Sequence, residues 1–308
     1  MLRFIRCWAG GQAYALDMAW AGSIQRVNRL QRLPGTRGEV GWLWTAGYSI
    51  PVWALAERLG AAVQGESAAQ RVIVLNDPAR PWGLLVDAVS QVTAVPESQS
   101  FPLPDWVVNR EKPYFSGALL WQNELLLRLA PAALHPDAVV TASRGVESAP
   151  ARDNERAGTG NGRLRHVHSG QIVVFKLPLP SQAGSDFSFA LSVAQVPEVL
   201  DPLPVMPVPH APPYAQGLIN WRRRPVAVID MGRWLGLADE ASGHGRLRLM
   251  IARATASNTL IGFLALPFMR VLRLPLPHRP ADGRLPLKSE LLRGAVQSGD
   301  ETILIPAV

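Results

Sequence analysis

An all-β protein built from two copies of one domain is what the sequence predicts, on three observations. Its strand-like runs are short, Gly and Pro punctuate them throughout, and four blocks of the first half recur in the same order in the second. YALDMAWAGSI (14–24) aligns with FALSVAQVPEV (189–199) at an offset of 175. GWLWTAGYSIPVWALAERLG (41–60) aligns with GLINWRRRPVAVIDMGRWLG (217–236) at an offset of 176. RVIVLNDPARPWGLLVDAV (71–89) aligns more loosely with RLMIARATASNTLIGFLALPFMRV (248–271), and YFSGALLWQNELLLRL (114–129) with LLRGAVQSGDETILIPA (291–307). A length of 308 residues permits many two-domain arrangements. The nearly constant offset specifies a duplication, with domains at 1–140 and 168–308.

Within each copy the elements are argued from local pattern. Arg71–Leu75 and Ile172–Phe175 are β-branched runs, and Leu84–Val86 and Leu125–Leu127 are short apolar runs beside Gly or polar breaks. Gly10-Gly11 reads as a turn. One short helix is expected per copy, over Trp53 to Leu59 and over Met231 to Leu235, each stopped by a glycine, Gly60 or Gly236. Many short strands with Gly/Pro turns point to small β-barrels. Between the copies, 141–167 is rich in Ala, Gly, Ser, Asn and charge and poor in large apolar residues, the composition of a flexible linker.

Charge and cysteine usage exclude several function classes. The formal net charge is +7 but is spread thinly, with one concentration at Arg222, Arg223 and Arg224. A nucleic-acid binder shows a denser stripe, so no nucleic-acid partner is expected, and this run is the only support for one. Cys7 is the only cysteine; no intrachain disulfide or thiolate cluster can form, and a cytoplasmic setting fits. Arg3 and Arg6 before an apolar stretch imitate a signal peptide, but Asp17 interrupts the stretch and the alternation reads as strand. The longest apolar run, Leu260 to Met269, is broken by Pro267 and stopped by Arg270, so no transmembrane helix and no direct membrane insertion are expected.

Enzyme signals are lacking. The six histidines (His135, His166, His168, His210, His244 and His278) sit mostly in loops, and no carboxylate cluster completes a metal site. No Gly-rich phosphate loop, kinase ATP-binding motif or phosphoacceptor appears, and Cys7 reads as a core thiol in a first strand. Neither metal nor cofactor is expected.

The order of blocks resembles the CheW-type chemotaxis coupling family, whose domain opens with a strand ending in Glu-Val. A Pro-rich loop follows, then an Asn-hydrophobic-Arg-Gly turn and a Pro-Val-hydrophobic-Asp strand that enters a short helix ending in Leu-Gly. The second half carries Val-Asp-x-Val and closes on an apolar strand. The second copy matches the first half of this pattern: Phe189, Leu191 and Val196, then Glu198-Val199, the loop 202–217, Asn220-Trp221-Arg222, and Pro225, Val226 and Asp230. It departs at Arg223, where the family usually has Gly, and at Ala265-Leu266-Pro267 in place of Val-Asp-x-Val. The first copy keeps GLLVDAV (83–89) and YFSG (114–117) but has Ser23 for the Glu, Trp44 for the Asn and Ala46 for the Arg.

The resemblance implies two domains, each of two small five-stranded SH3-like barrel subdomains with a short helix. It implies a non-enzymatic adaptor that couples chemoreceptor tips to the regulatory domain of a CheA-type histidine kinase, and that can also pack on other CheW-like domains in membrane-associated arrays. The alternative it leaves open is an array-assembly or polar-targeting scaffold without kinase coupling. Expected partner contacts are Glu198, Val199, Met206, Tyr214, Asn220, Trp221, Arg222 and Arg223, an apolar centre with a charged rim. Loss of both charges from the first copy implies that Glu198 and Arg222 are neighbours, because a charge stranded without its partner costs about 3–5 kcal/mol if buried and about 0–1 if exposed. Asp87 reads as a structural residue ending a strand. Trp42, Trp44, Trp53 and Trp121 are core or contact residues, and Trp44 at a turn implies a more apolar surface on the first copy.

Overall fold

The computed structural model describes residues 1–32, 38–45, 48–63, 65, 67–77, 80–138, 170–179, 187–238, 246–254, 259–273, 278–279 and 288–308. The expected linker, with His166 and His168, lies outside them, as does His244. The chain forms two compact units, the first holding Met1–Ser143 with Met206–Pro212 and Asn220–Pro225 and the second the rest, while each sheet draws its strands from one half of the sequence. Among the described residues no helix is long and apolar enough to cross a membrane.

In the first half the strands are β1 (Leu2–Ala9), β2 (Gln12–Asp17), β3 (Ala21–Arg26), β4 (Leu30–Gln31), β5 (Gly41–Thr45) and β6 (Tyr48–Ala54). After the helix α1 (Leu55–Arg58) come β7 (Arg71–Leu75), β8 (Trp82–Val86), β9 (Ala88–Val95), β10 (Ser100–Phe101), β11 (Phe115–Trp121), β12 (Glu124–Leu129) and the helix α2 (Pro131–Leu134). They make two curled sheets, in the orders β10-β11-β12-β2-β1-β9 and β3-β7-β8-β6-β5-β4. The chain therefore starts one sheet, leaves to build the second, and returns to finish the first.

In the second half β13 (Gln171–Phe175), β14 (Ser188–Ser192), β15 (Glu198–Leu200), β16 (Ala215–Trp221) and β17 (Arg224–Ile229) precede the helix α3 (Met231–Leu235). β18 (Arg248–Arg253), β19 (Leu260–Ala265), β20 (Arg270–Arg273), β21 (His278–Arg279), β22 (Leu292–Ser298) and β23 (Glu301–Pro306) follow. The orders are β20-β13-β14-β23-β22-β21 and β15-β18-β19-β17-β16. Both orders repeat those of the first half. The parallel pairs recur too: β2 with β12 and β14 with β23, β6 with β8 and β17 with β19. The register shifts at Phe115/Gly117 in β11 and at Leu292/Gly294 in β22, so even the bulge is duplicated. The expected five strands per sheet hold as they stand for the last sheet. Two-residue strands, β10, β4 and β21, bring the others to six.

The runs read as strands are buried on both faces, which is why they are continuously apolar rather than alternating. All of Val72 to Leu75 and of Trp82 to Val86 is buried. Tyr14 in β2 stacks on Phe115, with ring centroids 6.0 Å apart; its counterpart Phe189 in β14 stacks on Phe175 at 6.1 Å, and Phe175 meets Phe263 at 5.3 Å. Burial of each such ring contributes about 1.5–3 kcal/mol. Gly83 and Gly262 hold equivalent places in β8 and β19. A Cβ on Gly83 would stand 2.9 Å from methyl carbons of Val52 and Val72, so a side chain there would part β8 from its neighbours. Cys7 packs in β1 as a core residue, and burial pushes its thiol up to about 12.

α3 spans the residues expected, with Asp230 Oδ1 accepting from Arg233 N at 3.1 Å as its N-cap and Gly236 in the left-handed conformation at its end. α1 is shorter than expected. Val52, Trp53 and Ala54 pair with Gly83, Leu84 and Leu85, and that ladder holds them extended, so the helix starts only at Leu55. α2, with Pro131 in its first turn, was not expected. Beyond it, His135 packs against Trp53 and Trp82, whose ring centroids lie 5.8 and 5.2 Å from its own.

Candidate functional site

The residues expected to bind partners lie on three parts of the second copy. Asn220 and Trp221 end β16, Arg224 opens β17, and Arg222 and Arg223 form the two-residue turn between them. Both arginines have positive φ, 50° and 63°, the combination for which hairpin turns select Asn-Gly. An L-residue with a Cβ costs about 1–2 kcal/mol in this conformation. The turn thus holds two strained, solvent-exposed cations. The Arg222 guanidinium carbon stands 4.9 Å from the centre of the Trp221 ring, a cation–π contact that orients it.

Glu198 and Val199 sit on β15, where Val199 is 40% exposed. Their backbone pairs with Ile251 and Met250 of β18. In the hydrogen-bonded order three strands separate β15 from β16, so strand pairing does not make Glu198 and Arg222 neighbours.

The loop between β15 and β16 carries Met206 and Tyr214, both half-buried. Burial raises the Tyr214 phenol above its ordinary value. The end of this loop is pinned to the start of α3. Tyr214 O accepts from Asp230 N at 2.7 Å, and Arg233 Nη1 donates to Pro213 O at 3.0 Å. Sequence reasoning took Arg233 only as a helical residue; its position one turn after the Asp230 cap is what aims it back at the loop.

The first copy presents different chemistry at the equivalent places. Ile24 of β3, the counterpart of Val199, is 42% exposed, and Trp44 of β5, the counterpart of Asn220, is 57% exposed. Trp53 is buried and Trp42 and Trp121 are half-buried, so of the four tryptophans only Trp44 is an outward-facing one. Ala46 lies outside the described residues. Asp87 follows β8, and its carboxylate accepts from Gly10 N at 2.9 Å while its own N–H donates to Trp8 O at 2.8 Å. It ties the end of β8, in the second sheet, to the β1–β2 hairpin of the first, which is a structural role.

The family model described as CheW-like domain matches residues 3–138 and again 179–308. No curated protein matches the chain. Among solved structures, the chain is similar to the scaffolding protein TtCheW from Thermoanaerobacter tengcongensis, with 22% identity and a TM-score of 0.38 over 42% of this chain and 88% of that one. The two matched regions cover most of the sequence and coincide with the two repeats of strand order, and the chain belongs to the CheW-like domain family, whose domain it carries twice.

Proposed function

We propose that the chain is a non-enzymatic adaptor of bacterial chemosensory signalling that couples chemoreceptors to a CheA-type histidine kinase through protein–protein contacts. The observation that carries this reading is the second copy's step Asn220-Trp221-Arg222-Arg223, with Asn220 and Trp221 half-buried at the end of β16 and Arg222 and Arg223 exposed in the turn. It keeps the family's Asn-hydrophobic-Arg step and presents it in a tight, oriented hairpin. On this reading Val199, Met206, Tyr214 and Trp221 supply apolar contact, and Arg222 and Arg223 supply charge that steers encounter. The pairing of Glu198 with Arg222 is part of this reading and rests on the joint loss of both charges from the first copy, Ser23 and Ala46. The segment 141–167 tethers the two domains, 1–140 and 168–308, and two tethered modules raise avidity without new contacts when both can engage. The protein acts in the cytoplasm and is recruited to receptor arrays.

The test is a calorimetric titration of the full chain against the regulatory domain of the same organism's CheA-type kinase, with Arg222→Ala alongside. Micromolar binding weakened about tenfold by the substitution is expected. Absence of binding by the full chain moves the assignment to an assembly or polar-targeting scaffold, a reading favoured by the loss of both charges in the first copy. A double-mutant cycle on Glu198→Ala and Arg222→Ala tests their pairing; a coupling of about 0.5–1 kcal/mol is expected, and zero coupling removes it.

A further inference from the structure

We propose that the first copy carries a docking surface of its own, centred on Trp44, for an acidic protein segment bearing an apolar anchor. The inference concerns the copy that lacks the Glu and Asn-hydrophobic-Arg residues on which the coupling reading rests.

Trp44 is the most exposed tryptophan side chain among the described residues, yet it is held in place: its Nε1–H donates to Gln31 Oε1 of β4 at 3.0 Å. A large, rigid, amphipathic ring whose donor is already satisfied loses little conformational freedom on binding, which is the profile of an interface anchor. Strand β3, at the other end of the same sheet's strand order, buries none of its six side chains and exposes Ile24. The described stretch from Ala21 to Arg32 carries Arg26, Arg29 and Arg32 and no acidic residue. All three are exposed, and Arg29 and Arg32 flank Gln31, the residue that positions Trp44. Arg29 is hydrogen-bonded to the neutral amide of Gln25, at 3.1 Å, which orients its charge without neutralising it.

Charge complementarity therefore selects an acidic occupant, and the exposed ring selects an apolar anchor on it. Single-stranded nucleic acid also pairs cations with aromatic rings, but its binders offer successive aromatic platforms for stacked bases. Among the described residues of this copy Trp44 is the only exposed aromatic ring, which favours a protein segment.

The experiment is a selection of random displayed dodecapeptides on the immobilised full chain, with counter-selection on the full chain carrying Trp44→Ala. Peptides that depend on Trp44 are expected to be net acidic with one aromatic or large aliphatic residue. Their dissociation constants should rise about tenfold with Trp44→Ala and several-fold with Arg29→Glu. Circular dichroism melting of both variants confirms that the fold is kept, and because both residues are exposed neither should unfold it. Recovery of no Trp44-dependent peptide, or of neutral or basic ones, overturns the proposal. So does Trp44-dependent binding of labelled oligothymidylate. In the kinase titration it is the Arg222→Ala arm that reads the second copy, so failure there and failure here are distinguishable.

Discussion

At the scale of single residues, the turn at Arg222 and Arg223 is the place where local preference and observed conformation disagree. Two consecutive non-glycine residues at positive φ are a cost that a glycine would remove. Arg223→Gly is expected to raise stability by about 1 kcal/mol, read as a shift in the urea midpoint at constant slope. If the same substitution weakens kinase binding, the strain and the cation are maintained for the contact. A second residue-scale prediction concerns Cys7. Its folded thiol stays protonated up to about 12, against an ordinary 9.0 in the unfolded chain. Stability from this group is fully present below the unfolded value and is lost as pH rises from there toward the folded value. Between about pH 8 and about pH 10 it should cost about 1 kcal/mol, before the unfolded tyrosines ionise fully. Denaturant melts of the native chain should show this slope, and Cys7→Ala should flatten it; an unchanged slope would mean that the thiol is not the group responsible.

At the scale of elements, two contacts decide whether the first copy's sheets hold together. Gly83 lets β8 lie against β6 and β7, so Gly83→Ala should destabilise by about 1–3 kcal/mol through overpacking. Gly262→Ala, at the equivalent place, would bring a Cβ to 3.3 Å from Leu249 and Val228 and should cost less, under about 1 kcal/mol. Equal costs would show that neighbouring side chains in β6 and β7 yield as easily as those in β17 and β18. Asp87→Ala removes the acceptor for Gly10 N and should cost about 1–2 kcal/mol, measured by thermal unfolding. In the second copy the corresponding stretch, Ala265-Leu266-Pro267, has no carboxylate to do this, and its Leu266 N–H instead donates to Lys176 O.

At the scale of the whole chain, each copy nests one sheet inside the sequence of the other, since β1 and β2 are completed only by β9 to β12. Such non-local pairing links the two sheets of a copy into one cooperative unit. Hydrogen exchange on Gly83→Ala should therefore show protection falling together in β1, β2 and β6 to β8. Loss confined to β6 to β8 would show that the second sheet opens alone. The duplication was legible because it is written in four separate blocks at nearly constant offset, and the strand orders repeat it element by element. The helix α2 was not legible, because four residues, PAAL, carry too little periodicity to distinguish a turn of helix from a loop.

What the sequence by itself determined was the kind of structure and the family: short buried strands, their order, the paired glycine stops after α1 and α3, and the residues that stand at the family's Glu and Asn-hydrophobic-Arg steps. Those features are local, fixed by side-chain volume, φ preference and spacing, and so they survive in a one-dimensional reading. Only the tertiary structure decided how the positions are presented. Trp44 is turned outward and pinned by Gln31, while Trp53, read as core or contact alike, is enclosed. It put Arg222 and Arg223 into left-handed backbone, and three strands between Glu198 and Arg222 in the sheet. Exposure and neighbourhood depend on which strands curl against which. That is set by the sum of many long-range contacts, and no short stretch of sequence contains it.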